Sequence, residues 1–119
     1  MDTVFVGVTV ENPSMPGITA DCRVQADTGA TLTVLPGDFL VRLGVTPQVT
    51  KEFKLADGRL MSRPVGEVRI RMNGDAVVGR VVFGEPGDAS LLGVTVLEGL
   101  GLMVDPVARR LVPTTYQLF

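Results

Sequence analysis

Fourteen glycines and eight prolines are spread evenly along the chain and cut its apolar sequence into short segments. Breaks at intervals of roughly ten residues predict many short strands that close on themselves as an all-β sandwich or barrel. Val4, Val6, Val8 and Val10 alternate with Phe5, Gly7 and Thr9, which predicts a first strand packed on both faces. Asn12-Pro13-Ser14 marks a turn. Ile18 to Ala26 reads as a second strand, with Ala20, Cys22, Val24 and Ala26 on one side. The segment from Thr31 to Leu35, rich in β-branched residues, reads as a third.

Helices have little room in this pattern. Pro36-Gly37-Asp38 opens a short one over Phe39 to Leu43, with Gly44 as its C′ residue, and Val94 to Leu100 is a second. Thr50 to Leu55 and Pro64 to Met72 flank Ala56-Asp57-Gly58-Arg59. Asp57-Gly58 signals a hairpin of type I′, in which both central residues take positive φ. In the returning run Val68, Ile70 and Met72 share one face, and Arg69 and Arg71 occupy an expected solvated one. Asn73-Gly74-Asp75 is another tight turn before the strand Ala76 to Phe83, and Gly84-Glu85-Pro86-Gly87-Asp88 is a loop. Leu102 to Val104 and Arg110 to Val112, joined through Asp105-Pro106, complete the chain.

The 119 residues suit one domain, 1–119, with a single core. At this size folding buries roughly two-thirds of the unfolded surface, so neither disulfides nor a metal is needed as a staple. A net charge of −2, with both signs interspersed, argues against a nucleic-acid backbone as partner. Arg109-Arg110 is too short a basic run for nucleic acid or membrane. Cys22 is the only cysteine, which excludes an intramolecular disulfide and suggests a reducing compartment. Alternating with Val24, it reads as a small core residue. The N-terminal residues lack a basic region before an apolar stretch, and no apolar run reaches the ~18 residues of a membrane span. The expectation is a soluble, cytoplasmic domain.

The chain contains no histidine. Ser-His-Asp and Cys-His hydrolysis in their usual form are therefore excluded, as are zinc sites built on His and Cys. Nor do Glu85, Asp88 and the other acids have the spacing of a calcium loop. Any acid–base chemistry falls to carboxylates. Asp27-Thr28-Gly29 lies where a strand stops and the chain turns. A carboxylate there projects from rigid β structure, and Gly29 allows close backbone approach. On its residues alone the triplet fits either a catalytic loop or a simple Asx turn.

Its surroundings favour the first. Ala26-Asp27-Thr28-Gly29-Ala30-Thr31-Leu32-Thr33-Val34-Leu35 resembles the active-site loop of the retropepsin-like aspartic proteases, including the apolar strand that follows. Ser90-Leu91-Leu92-Gly93 resembles their second signature, ahead of a short C-terminal helix, and the Asp57-Gly58 hairpin falls where the family carries its flap. The resemblance runs from Phe5 to Val112 in the family's order. It implies a closed acid-protease β-barrel in which Leu91, Leu92 and Gly93 thread behind the Asp27 loop and support it.

It also implies a homodimer, because each chain supplies one aspartate. Two Asp27 carboxylates would share a proton and activate water for peptide-bond hydrolysis, with no metal or cofactor. Thr28 would brace the paired loops. Gly29, Ala30 and Thr31 would line the cleft, and Ala56, Asp57, Gly58 and Arg59 would approach a peptide or unfolded-protein substrate from the flap. Two departures stand out. Ala30, Thr31 and Leu32 occupy positions where some retroviral enzymes carry acidic substrate clamps, and the flap tip is polar. Such a tip matches non-viral, cellular and bacterial members. The apolar tail from Leu111 to Phe119, interrupted by Pro113, is expected to contribute to the dimer. A catalytically silent module on the same fold, binding peptides or dimerising, is the alternative, and an unrelated small barrel with a mere turn at Asp27 is a third.

Overall fold

The computed structural model describes residues 3–118. β1 (Val4–Glu11) and β2 (Thr19–Ala26) form an antiparallel pair running from Val4↔Ala26 to Glu11↔Thr19. Alternation sends Val4, Val8, Val10, Val24 and Ala26 inward. The other face of β1 is uncovered, contrary to the expectation of packing on both sides: Phe5 is 54% exposed. The Arg23 guanidinium stacks 5.1 Å from the centroid of its ring, which shields part of it without burial.

β3 (Thr33–Pro36) leads into α1 (Gly37–Arg42). The strand starts at Thr33 rather than Thr31, and the helix begins two residues before the expected Phe39. Gly44, at φ +78°, is the expected left-handed residue beyond the helix. β4 (Val49–Lys54) and β5 (Leu60–Met72) form the flap hairpin, and β6 (Asp75–Gly84) returns along β5. β7 (Leu91–Leu92) precedes α2 (Val94–Gly99), and β8 (Leu102–Asp105) pairs with β9 (Arg110–Pro113) as a separate ribbon.

The two turns differ from expectation in an instructive way. At the flap tip only Gly58 has positive φ, +88°. The Gly58 amide donates to the Leu55 carbonyl at 2.9 Å and the Leu55 amide to the Arg59 carbonyl at 2.8 Å, which makes a three-residue loop with glycine at the left-handed position. The type I′ turn is instead Asn73-Gly74, with φ of +52° and +81° between paired Met72 and Asp75.

The large sheet has the order β1-β2-β7-β3-β6-β5-β4, and β1 also pairs with β5 from Thr9↔Arg71 to Glu11↔Arg69. That extra pairing closes the sheet into a ring, mixed parallel and antiparallel and hence less regular than a simple barrel, with β4 projecting outside it. The class is all-β, as expected. Leu35, Leu40, Ile70, Val81 and Leu92 are fully buried at its centre.

Arg69 and Arg71 are not a free solvated face. Their guanidiniums converge on Glu11 Oε1 at 2.9 and 3.2 Å, while the Gly17 amide donates to Oε2 at 3.1 Å. Glu11 is only 6% exposed. These bonds hold its carboxyl below the usual range, the Arg69 hydrogen bond contributing most.

Candidate active site

β2 ends at Ala26, and the chain turns through Asp27. The Asp27 amide donates to the Leu92 carbonyl at 3.0 Å, and the Asp27 carbonyl accepts from Ala30 N–H at 3.2 Å. Its carboxylate Oδ1 accepts from the Gly29 amide at 2.8 Å. That is the Asx arrangement, so a turn and a potential catalytic group coincide in one residue. Oδ2 has no hydrogen-bond donor among the described residues, nor has the exposed Thr28 hydroxyl a partner among them.

The segment from Leu92 to Thr95 staples this loop from behind. β7 lies parallel to the end of β2, with Gln25↔Leu91 and Ala26↔Leu92. The Gly93 amide donates to the fully buried Thr33 Oγ1 at 3.0 Å. The Val94 amide bonds the Ala30 carbonyl at 2.8 Å, and Thr95 reaches the Thr31 carbonyl through its amide at 3.3 Å and its hydroxyl at 3.0 Å. A Cβ on Gly93 would sit 2.5 Å from the Leu32 carbonyl carbon. Glycine is thus required for contact between the two segments. Asp27, Gly29, Ala30, Thr31, Leu91, Leu92 and Gly93 therefore form one assembly.

The flap residues stand apart from it. Ala56, Asp57, Gly58 and Arg59 are exposed at the hairpin tip, and none of the tip's hydrogen bonds reaches the Asp27 loop. Asp57 Oδ1 accepts from the Arg59 amide at 3.0 Å, and Oδ2 pairs with Arg59 Nε at 2.7 Å. These two side chains satisfy each other.

Between the flap strands and the strands β3, β6 and β7 lies an apolar groove of about 200 Å³. Phe53, Leu55 and Met61 line it from the flap, and Val34, Val82 and Leu91 form its floor. Leu92 points into the core and Leu91, by strand alternation, into the groove beside the residue that anchors Asp27. Larger grooves of about 520 and 640 Å³ lie beside the Asn73-Gly74 turn and beside α1, where no such link to Asp27 exists. Arg63, Asp88 and Thr33 escaped the sequence reading. The signal for Arg63 was alternation: it shares strand phase with Met61 and Val65, which predicts an inward cation in need of an anion.

Cys22 packs against the core edge, and burial pushes its thiol up, as suits a small apolar residue better than a nucleophile. The tail folds back on its own chain. The Thr114 amide donates to the Gly101 carbonyl at 2.8 Å, and the Tyr116 hydroxyl donates to the carbonyls of Glu98 and Gly99. Phe119, the last residue of the expected dimer tail, lies outside the described residues. No helix among the described residues is long and apolar enough to cross a membrane.

The chain matches the aspartyl protease family model over residues 6–105. It is similar in structure to the EIAV protease solved in complex with the inhibitor HBY-793, with a TM-score of 0.64 and 19% identity over 87% of this chain and 92% of that one. The solution structure of the simian foamy virus (mac) protease is also similar, with a TM-score of 0.54 and 23% identity over 80% of this chain and 94% of that one. At these identities the likeness is one of fold. No curated protein matches the chain.

Proposed function

Because the chain belongs to the aspartyl protease family and has the fold of the retroviral proteases, we propose that it acts as a single-domain, homodimeric aspartic endopeptidase. The observation that carries this reading is the Asp27 carboxylate: rigidly stapled through Leu92 and Gly93, engaged at Oδ1 and open at Oδ2. One such group is half a site. A two-fold axis near Thr28 would set a second Asp27 opposite the first, and the unpartnered Thr28 hydroxyl is available to brace the pair.

Two carboxylates a hydrogen bond apart share one proton. The ionised member takes a proton from a bound water as its oxygen attacks the peptide carbonyl carbon. The protonated member gives its proton to the carbonyl oxygen, leaving a neutral tetrahedral diol. Proton return to the amide nitrogen then breaks the C–N bond and restores the shared proton. Gly29, Ala30 and Thr31 would hold substrate main chain, Ala56 to Arg59 would cover it, and the apolar groove would take one of its side chains. The partners are peptides or unfolded segments, no cofactor takes part, and the proposed setting is the cytoplasm.

The polar flap tip supports a second reading. With Asp57 and Arg59 paired to each other, the tip offers little apolar closure, which suits a silent peptide-binding or dimerising module. Wild type and Asp27→Asn, incubated with a diverse peptide library from acidic to neutral pH and read by mass spectrometry, separate the two. Cleavage that vanishes in Asp27→Asn is the expected result. Equal or absent cleavage by both proteins favours the module.

A further inference from the structure

Arg63 lies on the flap's returning strand yet is only 7% exposed. Its Nε donates to Asp88 Oδ2 at 2.9 Å and its second terminal nitrogen to Oδ1 at 3.3 Å, a two-pronged fork. The first terminal nitrogen donates to the Ser62 carbonyl at 3.0 Å, and Glu85 Oε2 stands 3.6 Å from the fork. Asp88 Oδ2 also accepts from the Glu85 amide at 2.8 Å, and the Asp88 amide donates to the Glu85 carbonyl at 2.9 Å. One carboxylate thus ties the 84–88 loop to itself and to the flap.

Such a pair is weak evidence of a stabilising role. Taking a guanidinium out of water can cost as much as the pairing returns, and a well-packed apolar residue often serves a fold equally well. What a planar fork supplies is fixed relative position. The position fixed here is that of a groove wall: Arg63 and Asp88 both line the apolar groove between flap and floor. Phe53 and Met61 face each other across the flap register, two residues from Arg63, while Leu91 pairs with Val34 on the floor. Arg63, through Asp88 and the longer contact to Glu85, carries the ion pairs that join the flap side of the groove to the 84–88 loop among the described residues.

We propose that Arg63 and Asp88 are positioning residues whose ion pair latches the flap's returning strand to the 84–88 loop. The latch sets the depth of the apolar groove that Leu91 lines, one residue from the Leu92 carbonyl that holds Asp27, so that the groove selects a branched aliphatic side chain over a small one. The inference rests on the reading of the cleft as a peptide site, and it deepens that reading by naming what holds the subsite in shape.

Two measurements keep the latch and the peptidase separable. The first uses the Asp27→Asn chain, which needs no turnover, and records by calorimetry its affinity for short peptides identical except for one central Ala, Val, Leu or Phe. Adding Asp88→Asn should lower the preference for Leu over Ala by about tenfold, the discrimination that one methylene commands in a pocket. Asp88→Glu should restore part of it, and hydrogen exchange of the Phe53 to Met61 amides should quicken only in Asp88→Asn. Arg63→Met, apolar and of similar length, serves as the second variant should Asp88→Asn fail to fold. Unchanged preference and exchange, or no side-chain preference in the parent, overturns the latch. The second measurement is cleavage of the same peptides with Asp27 intact. Its failure, with the binding preference present, would overturn the peptidase reading and leave the latch standing; with cleavage, a loss of preference carried by KM rather than kcat is expected.

Discussion

A Cβ at Gly93 would lie 2.5 Å from the Leu32 carbonyl carbon, 2.6 Å from its oxygen and 2.9 Å from the Thr31 oxygen, all backbone atoms that cannot swing aside. Gly93→Ala must therefore push β7 away from the Asp27 loop, at a cost of about 2 kcal/mol, typical of overpacking. Urea unfolding should show the loss, and peptide cleavage should fall further than stability does, because the displaced segment carries the Leu92 carbonyl that holds Asp27. Glu11 offers a different test. Its folded carboxyl is held low by Arg69, then Gly17 and Arg71. Its contribution is thus complete above the unfolded value of about 4.3 and is lost as pH falls through the lower folded value. Stability measured by urea midpoints should decline on acidification in wild type. In Glu11→Gln it should start lower at neutral pH and decline less. Equal slopes would contradict the role of this cluster. Sequence reading found Asp27 and Gly93 because each belongs to a contiguous motif. It missed Glu11 with Arg69, and Arg63 with Asp88, because those pairs form only when distant strands come together.

The flap hairpin shows what local sequence can and cannot specify. Asp57-Gly58 and Asn73-Gly74 are both strong turn signals, and both are turns. Which is type I′ depends on how many residues the flanking strands leave between their last bonded pair: two between Met72 and Asp75, but three between Leu55 and Arg59. Strand register, a nonlocal property, makes that choice. The same reason explains the late start of β3, because the carbonyls of Ala30 and Thr31 are taken by Val94 and Thr95 rather than by a neighbouring strand. At the tip, the Asp57–Arg59 pair is 55% and 72% exposed at its side chains, and such pairs contribute little. Alanine at both positions should leave the melting temperature almost unchanged. Any substantial change in peptide affinity would then report substrate contact; an unchanged affinity would mark the tip as a bystander.

Across the whole molecule, the ring of strands closes around its core and leaves Thr28 and Gly29 of the Asp27 loop exposed. The closure came through the β1–β5 pairing, joining Thr9–Glu11 to Arg69–Arg71, which alternation in either strand alone does not reveal. Alternation did predict the inward faces of β1, β2 and β5; it misjudged the outer face of β1, since no other element covers Phe5 there. The tail was expected to contribute to a dimer; within its own chain the Thr114 amide bonds the Gly101 carbonyl just beyond α2, and the Tyr116 hydroxyl bonds the carbonyls of Glu98 and Gly99. The β8–β9 ribbon leaves Met103 and, at its turn, Val107 exposed. Truncation after Val112 should weaken a dimer in gel filtration at low concentration. A dimer of unchanged affinity would exclude the tail from the interface.

The central claim is that Asp27 is half of a shared site. Mixing wild type with rising proportions of Asp27→Asn at fixed total concentration, with time for subunit exchange, measures this directly. If both aspartates are needed, cleavage should fall with the square of the wild-type fraction, to about a quarter at equal amounts. A linear fall, with about half the activity remaining in that mixture, would mean that each chain works alone and would contradict the account.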